Sequence, residues 1–384
     1  MGDKISNIND NRLNVVDVFS GVGGLSLGAA RAGFKVIAAI DIDKRMLDSH
    51  AINFPSCLHI ETDITNLDGT QLSEKTGLHT EYFGLIGGPP CQGFSRIGRR
   101  KRNDLRNTYF SHFFRLVAES RPCFYLAENV LGILDNKYDR IRHKAFSQIE
   151  GYKNIKPLIL KASDYGAATS RKRVFFIGYM PEHFKDINVS HFDPPSNVST
   201  VNVGTALRGL RKKISPNWQS KEQGYRPLTC KPNGWFLKKT LNDIPQGIGD
   251  PESIRRLKNE NLVSGCLGTR HSQEVTERFT TLAEGSVDKP SRAVRLKRNG
   301  FCPTLRSGTG PDHGSYQALR PIHPTEPRVI TPREAARLQG FPDWFQFDST
   351  KWYSFRQIGN SVSPVLAEAV LTIIKDAIKI RNDS

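Results

Sequence analysis

A chain of 384 residues, 38% hydrophobic and 24% charged, is long enough for one large and one smaller soluble domain, and no apolar run approaches the roughly 18–20 residues of a membrane span. A formal net charge of +17 and a pI near 9.7 point to a polyanionic partner, most often nucleic acid. The six cysteines, at 57, 91, 123, 230, 266 and 302, include no C-x-x-C pair, which argues against a zinc site or a disulfide framework and fits a reducing compartment.

Met1 to Asn11 is polar and of mixed charge, unlike a signal peptide. Val15-Val16-Asp17-Val18-Phe19 then reads as a buried parallel strand. Ser20-Gly21-Val22-Gly23-Gly24 follows at once, and Leu25 to Ala32 reads as a helix ended by Gly33. A strand, a glycine turn and a helix bring backbone N–H groups close to a ligand at the helix N-terminus. A second strand, Lys35 to Ile40, ends at Asp41. That carboxylate lies 20 residues beyond Gly21, the spacing that reaches the ribose hydroxyls of an adenosine-type cofactor. Asp63 falls just past a third strand. It could reach an adenine amino group, although taken singly it suits a helix cap or a turn.

Phe83-Gly84-Leu85-Ile86 reads as the end of a fourth buried strand, stopped by Gly87-Gly88-Pro89-Pro90. Cys91 is presented on that turn, at the carboxyl edge of the sheet where doubly wound folds bind ligands. A stiff, small frame around one thiol suits a nucleophile that approaches a flat substrate; the bland alternative is a structural cysteine. The run Arg96 to Arg106 is too charged for a core and suits either a solvated face or a mobile loop closing on phosphates. Tyr109 to Ser120 has helical periodicity. Phe124 to Ala127 is another buried strand, ending in Glu128-Asn129-Val130, where a carboxylate beside apolar residues can have its pKa raised and act as an acid. Arg171 and Arg173 precede the apolar run Val174 to Ile177 and share one face at period two, as donors that cannot be deprotonated.

From about 185 to 320 the strand–helix alternation fades into recurrent Pro, Gly and Asn, which reads as a second, loop-rich domain of short strands. Residues 181–330 hold 23 Lys/Arg against 14 Asp/Glu, a net of +9. Arg208 to Lys213 and Arg292 to Arg298 suit phosphate contacts. Arg306 to Gly310 suits a flexible groove-following segment or a plain surface loop. A final helix, Val365 to Ile380, is expected to pack back on the first domain. The domains are thus expected at 13–184 and 185–320, with 321–384 completing the first.

Taken together, these pieces resemble the DNA (cytosine-5)-methyltransferase family. The resemblance is carried by Asp17-Val18-Phe19-Ser20-Gly21-Val22-Gly23-Gly24, Gly88-Pro89-Pro90-Cys91-Gln92-Gly93-Phe94-Ser95, Glu128-Asn129-Val130 and Arg171-Lys172-Arg173. It continues with Thr331 to Pro342, which contains Arg337-Leu338-Gln339-Gly340-Phe341-Pro342, and with Gln357-Ile358-Gly359-Asn360-Ser361-Val362. The chain departs from the family at Ala168-Thr169, where Pro-Gln is usual. The resemblance implies an α/β, doubly wound, Rossmann-like fold that uses S-adenosylmethionine and no metal to methylate cytosine C5 in double-stranded DNA. It implies that Cys91 is the nucleophile, that Glu128 bonds N3 and the exocyclic amine, and that Arg173, with Arg171 beside it, holds O2. Asn129 would orient the loop backbone. Phe19, Ser20, Gly21, Gly23, Gly24, Asp41, Ile42, Asp63, Ile64 and Pro90 would line the cofactor site, with Asn360 and Val362 closing it. The target base must leave the stack, at a cost of a few kcal/mol. The expected setting is a cytoplasmic, nucleoid-associated prokaryotic monomer, with a separate restriction endonuclease as a candidate partner. An RNA cytosine-5 methyltransferase of the same fold is the alternative; the large basic middle segment speaks against it.

Overall fold

The computed structural model describes residues 12–78, 83–90, 108–217, 224–230, 233–306 and 320–379. Its centre is a sheet built from β1 (Asn14–Val18), β2 (Lys35–Asp41), β3 (Leu58–Glu61), β4 (Phe83–Gly87), β5 (Phe124–Asn129), β6 (Lys153–Asn154), β7 (Leu158–Lys161) and β8 (Lys172–Tyr179). The strand order is β3-β2-β1-β4-β5-β8-β6, with β7 also paired to β8. The first five strands are parallel, and β8 runs antiparallel to β5.

Both faces of this sheet are covered, which is why its strands read as continuous apolar runs. Side chains still alternate between two cores. Phe124 and Leu126 of β5 and Phe175 and Ile177 of β8 enter one; Tyr125, Ala127, Val174 and Phe176 enter the other. On the second face lie α3 (Gly69–Thr76), α4 (Thr108–Ser120) and α5 (Asp139–Phe146). α4 is held there by Phe110, Phe113, Phe114 and Val117, a stripe at helical spacing that is fully buried.

The first face is covered by α1 (Gly24–Arg31), α2 (Lys44–Asn53) and the last helix, α12 (Pro364–Asp376). α12 lies so close to α1 that a Cβ on Gly28 would stand 2.4 Å from Ala367 Cβ and 2.7 Å from Glu368 N. Before it come α10 (Pro332–Gln339) and α11 (Lys351–Asn360). The apolar stretch Lys351–Asp376 has the length of a membrane span, but it is α11 and α12, interrupted at Ser361-Val362-Ser363 and largely buried.

Residues 185–306 are loop-rich, as expected, but their regular structure is mostly helical rather than strand. Among the described residues they form α6 (Val203–Ala206), α7 (Trp235–Asn242), α8 (Pro251–Glu260) and α9 (Gln273–Thr281), against one two-stranded pair, β9 (Arg226–Pro227) and β10 (Leu262–Val263). The cause is local. Asp250 caps α8 by accepting from Ser253 N at 2.9 Å, Pro251 occupies the first turn, and Ser272 caps α9.

This middle stretch is gripped by arginines of the surrounding body, mainly through its backbone carbonyls. Arg31 donates to Lys239 O, Arg171 to Leu305 O, Arg328 to Lys212 O, Arg333 to Ser264 O and Arg337 to Ala206 O and Arg208 O. Arg337 is fully buried and is neutralised by Asp343, with Nε 2.8 Å from Oδ1. Arg328 makes two bonds to Glu334, at 2.9 and 2.7 Å.

Candidate active site

The glycine turn sits where β1 ends. Phe19 holds a left-handed φ of 58°, costly for an aromatic residue and of a kind that clusters at functional sites. Ser20 N bonds Ile40 O at 3.1 Å, and Gly23 N bonds Ser20 O at 3.0 Å, which folds the turn over the ends of β1 and β2. Gly21, also left-handed at φ 54°, faces open space: a Cβ there would touch nothing within 4 Å. Gly24 is tightly backed, its added Cβ only 2.5 Å from Val362 O. The Ser20 hydroxyl oxygen is buried without a partner among the described residues.

Asp41 ends β2 and accepts from Gly21 N at 2.8 Å and Asp43 N at 2.9 Å. Burial outweighs these bonds and raises its pKa. Ile42 beside it is 62% exposed, unusual for a large apolar side chain next to a buried strand end. Asp63 serves as a cap, accepting from Thr65 N at 2.9 Å, and its other oxygen accepts from Tyr109 OH at 2.9 Å. Burial would raise its pKa, but the Thr65 and Tyr109 bonds prevail and hold it low. Ile64 is 3% exposed and packs in the core, so any part it has in a pocket wall is through its backbone. Asn360 is exposed, and Val362 is buried with its carbonyl against Gly24. Gln339 fixes this segment, with Nε2 donating to Ile358 O at 3.2 Å and Ser361 O at 3.0 Å.

The second half of the site lies at the ends of β4 and β5. Glu128 is 7% exposed, and its Oε1 stands 2.7 Å from Arg173 Nε on the neighbouring antiparallel strand β8. Burial raises the Glu128 pKa even though Arg173 and Arg171 oppose the shift. Gly88 borders the pair: a Cβ there would lie 3.5 Å from Glu128 Oε2. Asn129 ties the proline turn to β5, donating to Pro89 O at 3.3 Å while its own side-chain carbonyl accepts from Val130 N at 2.9 Å. Pro90 is half-buried at the end of this turn. Cys91, the rest of its motif and the basic run Arg96 to Arg106 lie outside the described residues.

The two arginines divide their work. Arg173 meets Glu128, whereas Arg171, 3% exposed, donates to the carbonyls of Leu305, Gly359 and Asn360 and so ties those two segments together. Their loop is held without the usual Pro-Gln. Thr169 Oγ1 and Ser170 N both donate to Cys302 O, at 3.1 and 2.9 Å, and Cys302 N donates to Ala168 O at 2.8 Å. One expected phosphate contact is corrected. Arg295 is 7% exposed and donates to Phe279 O, Leu282 O and Pro324 O, because its backbone bridges Ile322 and turns the side chain inward. Arg298 of the same cluster pairs with Glu284. Tyr109 is the site residue that periodicity hides. Besides bonding Asp63 it meets Phe19 edge-on at 5.8 Å, and its one sequence signal is its place in the first turn of α4, straight after the basic run.

The model of the C-5 cytosine-specific DNA methylase family matches residues 13–376. The type II methyltransferase M.XorII of Xanthomonas oryzae pv. oryzae is 38% identical over 365 residues, covering 92% of this chain and 82% of the relative. M.DdeI of Desulfomicrobium norvegicum is 32% identical, covering 97% and 91%. A crystal structure of a candidate DNA modification methyltransferase encoded within an E. coli prophage superposes with a TM-score of 0.86 at 50% identity, over 95% of this chain and 99% of that one. The S. pombe Dnmt2 methyltransferase, at 18% identity and a TM-score of 0.60 over 95% and 99%, shares the fold. Because the family match runs from just before β1 to the last residue of α12, the chain belongs to the C-5 cytosine-specific DNA methylase family and is a DNA (cytosine-5)-methyltransferase.

Proposed function

We propose that the chain methylates C5 of a cytosine within a specific double-stranded DNA sequence, as the modification half of a restriction–modification pair. The observation that carries the chemistry is the Glu128–Arg173 pair, buried at the end of β5 with Gly88 alongside and Cys91 three residues beyond Gly88 in the chain. The relatives' designation as type II methyltransferases supports the biological setting.

Cytosine C5 is a weak nucleophile. Attack by the Cys91 thiolate on C6 forms an S–C6 bond and pushes electron density onto C5, N3 and O2. Glu128, kept protonated to higher pH by burial, donates to N3, and Arg173 donates to O2, so the developing charge meets fixed donors. Once C5 carries the methyl group that the bound cofactor would supply, a base removes the C5 proton as the C6–S bond breaks, releasing the thiolate and 5-methylcytosine. The base reaches these groups only when flipped from the duplex.

The residues around the glycine turn fit S-adenosylmethionine: an open cradle at Gly21, an unpartnered Ser20 hydroxyl, the exposed Ile42 and two carboxylates, Asp41 and Asp63. Phe19, Gly23, Gly24, Ile64, Pro90, Asn360 and Val362 complete its walls. When bound, this cofactor supplies an electrophilic methyl sulfonium. Residues 13–184 with 321–384 form the catalytic body in this reading, and 185–320 read the target.

A duplex carrying 5-fluorocytosine at the target traps the adduct, because fluorine cannot leave C5 as a proton does. Mass spectrometry is expected to place the adduct on Cys91, and Cys91→Ala is expected to lose methyl transfer while still binding DNA. An adduct on Cys230 or Cys266, or turnover by the variant, would sink the mechanism. Equal methylation of the matching RNA duplex would favour the RNA reading.

A further inference from the structure

Beneath the glycine turn lies a second polar cluster to which methyl transfer gives no role. Strands β1, β2 and β3 pair so that Asp17, Ala39 and His59 form one row across the sheet. Side chains in such a row leave the same face, and the small Ala39 opens space between the other two. Ser26 of α1 and His50 of α2 fill it. Ser26 Oγ donates to Asp17 Oδ2 at 2.6 Å, His50 Nε2 lies 3.0 Å from Ser26 Oγ, and His50 Nδ1 lies 2.9 Å from His59 Nε2. The Cys57 thiol joins them: it and one nitrogen from each imidazole all fall within 4.8 Å of one another. His50 and Cys57 are buried, and His59 is half-buried on the edge strand.

Three groups that can each offer a lone pair, two imidazole nitrogens and a sulfur, converge here, and the His50 and His59 nitrogens stand only 2.9 Å apart. Behind them Asp17 Oδ1 is buried without a partner among the described residues. A proton shared between the rings or a bound cation can occupy this point, and direct metal titration distinguishes the two.

We infer that His50 Nδ1, His59 Nε2 and Cys57 Sγ bind a zinc ion, with water in the fourth position and Ser26 and Asp17 orienting His50 from behind. Two imidazoles and a thiolate suit zinc, and a histidine backed by a hydroxyl and a carboxylate is a recurrent support for a metal ligand. Tetrahedral bonds require ligand atoms roughly 3.3–3.8 Å apart. The two imidazole nitrogens, 2.9 Å apart, must therefore part slightly, and the thiol must swing inward from a weak bond to Leu58 O at 3.5 Å. Binding releases the Cys57 proton to water as the S–Zn bond forms. The ion would stiffen the floor of the glycine turn, since a Cβ on Gly23 would lie 2.9 Å from His50 Cδ2.

Full-length protein stripped by a chelator and titrated with Co2+ is expected to take up one ion per chain, with a thiolate-to-cobalt charge-transfer band that equimolar Zn2+ abolishes. Cys57→Ser is expected to remove the band. Ser26→Ala, which keeps all three ligands but cuts the link to Asp17, is expected to weaken Zn2+ binding about tenfold. His59→Ala, on the half-exposed edge, provides a variant that keeps the fold if Cys57→Ser does not. No uptake of Co2+ by the parent chain overturns the assignment, and so does a band that survives Cys57→Ser or His59→Ala. These readouts do not depend on methyl transfer.

Discussion

Replacing Glu128 by glutamine tests the acid role with little change of shape. In the structure Glu128 and Arg173 are 2.7 Å apart, with side chains 10% and 12% exposed, so the pair meets little solvent screening. The glutamine amide still offers Arg173 one carbonyl acceptor, so stability is expected to fall by only about 1–3 kcal/mol, the cost of a weakened buried bond to a charged group. Catalysis should suffer more. A positioned proton donor contributes about 10²–10⁴-fold, or roughly 3–5 kcal/mol of barrier at 1.36 kcal/mol per decade. The assay is transfer of a labelled methyl group to target duplex at saturating DNA, alongside a DNA-binding titration and a urea melt. The expected result for Glu128→Gln is kcat down by at least about a hundredfold with DNA affinity nearly unchanged. The pH profile adds a sign. Burial raises the Glu128 pKa, so the protonated form persists above the ordinary carboxylate range and is lost as pH rises through the raised value. The parent rate is expected to fall on that alkaline side, and the rate of the Glu128→Gln variant to lose this limb. A variant within about threefold of the parent, with the limb intact, would refute the role.

Gly28→Ala pits helix propensity against packing. Propensity favours Ala by about 1 kcal/mol, but the new methyl stands 2.4 Å from Ala367 Cβ and 2.7 Å from the α12 backbone. Overpacking costs about 1–3 kcal/mol or more, so urea denaturation is expected to show a net loss; equal or greater stability would mean that α12 yields easily. His323 accepts from Thr325 N and Glu326 N, both at 3.1 Å, and burial lowers its pKa from 6.5 to about 4. The unfolded chain therefore gains a proton below about 6.5 that the folded chain refuses until about 4. Stability is expected to fall by up to about 3 kcal/mol as pH drops across that window, and His323→Gln is expected to flatten the slope.

The parallel strands β1, β2, β4 and β5 were legible because each is a short apolar run ending in a polar or glycine signal, although β1 ends at Val18 and not Phe19; the short edge strands β6 and β7 were not read. The turn Phe19 to Gly24 and the carboxylates Asp41 and Glu128 were legible from their places at strand ends. The helices α8 and α9 were not seen, although Asp250-Pro251 and Ser272 are cap signals; frequent Pro and Gly nearby masked them. Arg295 could not be told from its exposed neighbours because its acceptors, Phe279, Leu282 and Pro324, come from two distant segments. The same holds for His50, Cys57 and His59. A search for paired cysteines passes over them, and what joins them to Asp17 is the register of three strands around Ala39.

The arginines that hold the middle segment suggest how such a chain tolerates change. Arg31, Arg171, Arg328 and Arg337 reach main-chain oxygens, at residues 239, 305, 212, 206 and 208. Every amino acid carries that oxygen. The attachment is therefore blind to side-chain identity at those positions, and mutations that alter what the segment presents outward leave its anchorage intact. The constraint falls on the arginines, each of which serves several carbonyls or carboxylates at once. Variation should thus accumulate on the held side of these contacts and be scarce on the holding side.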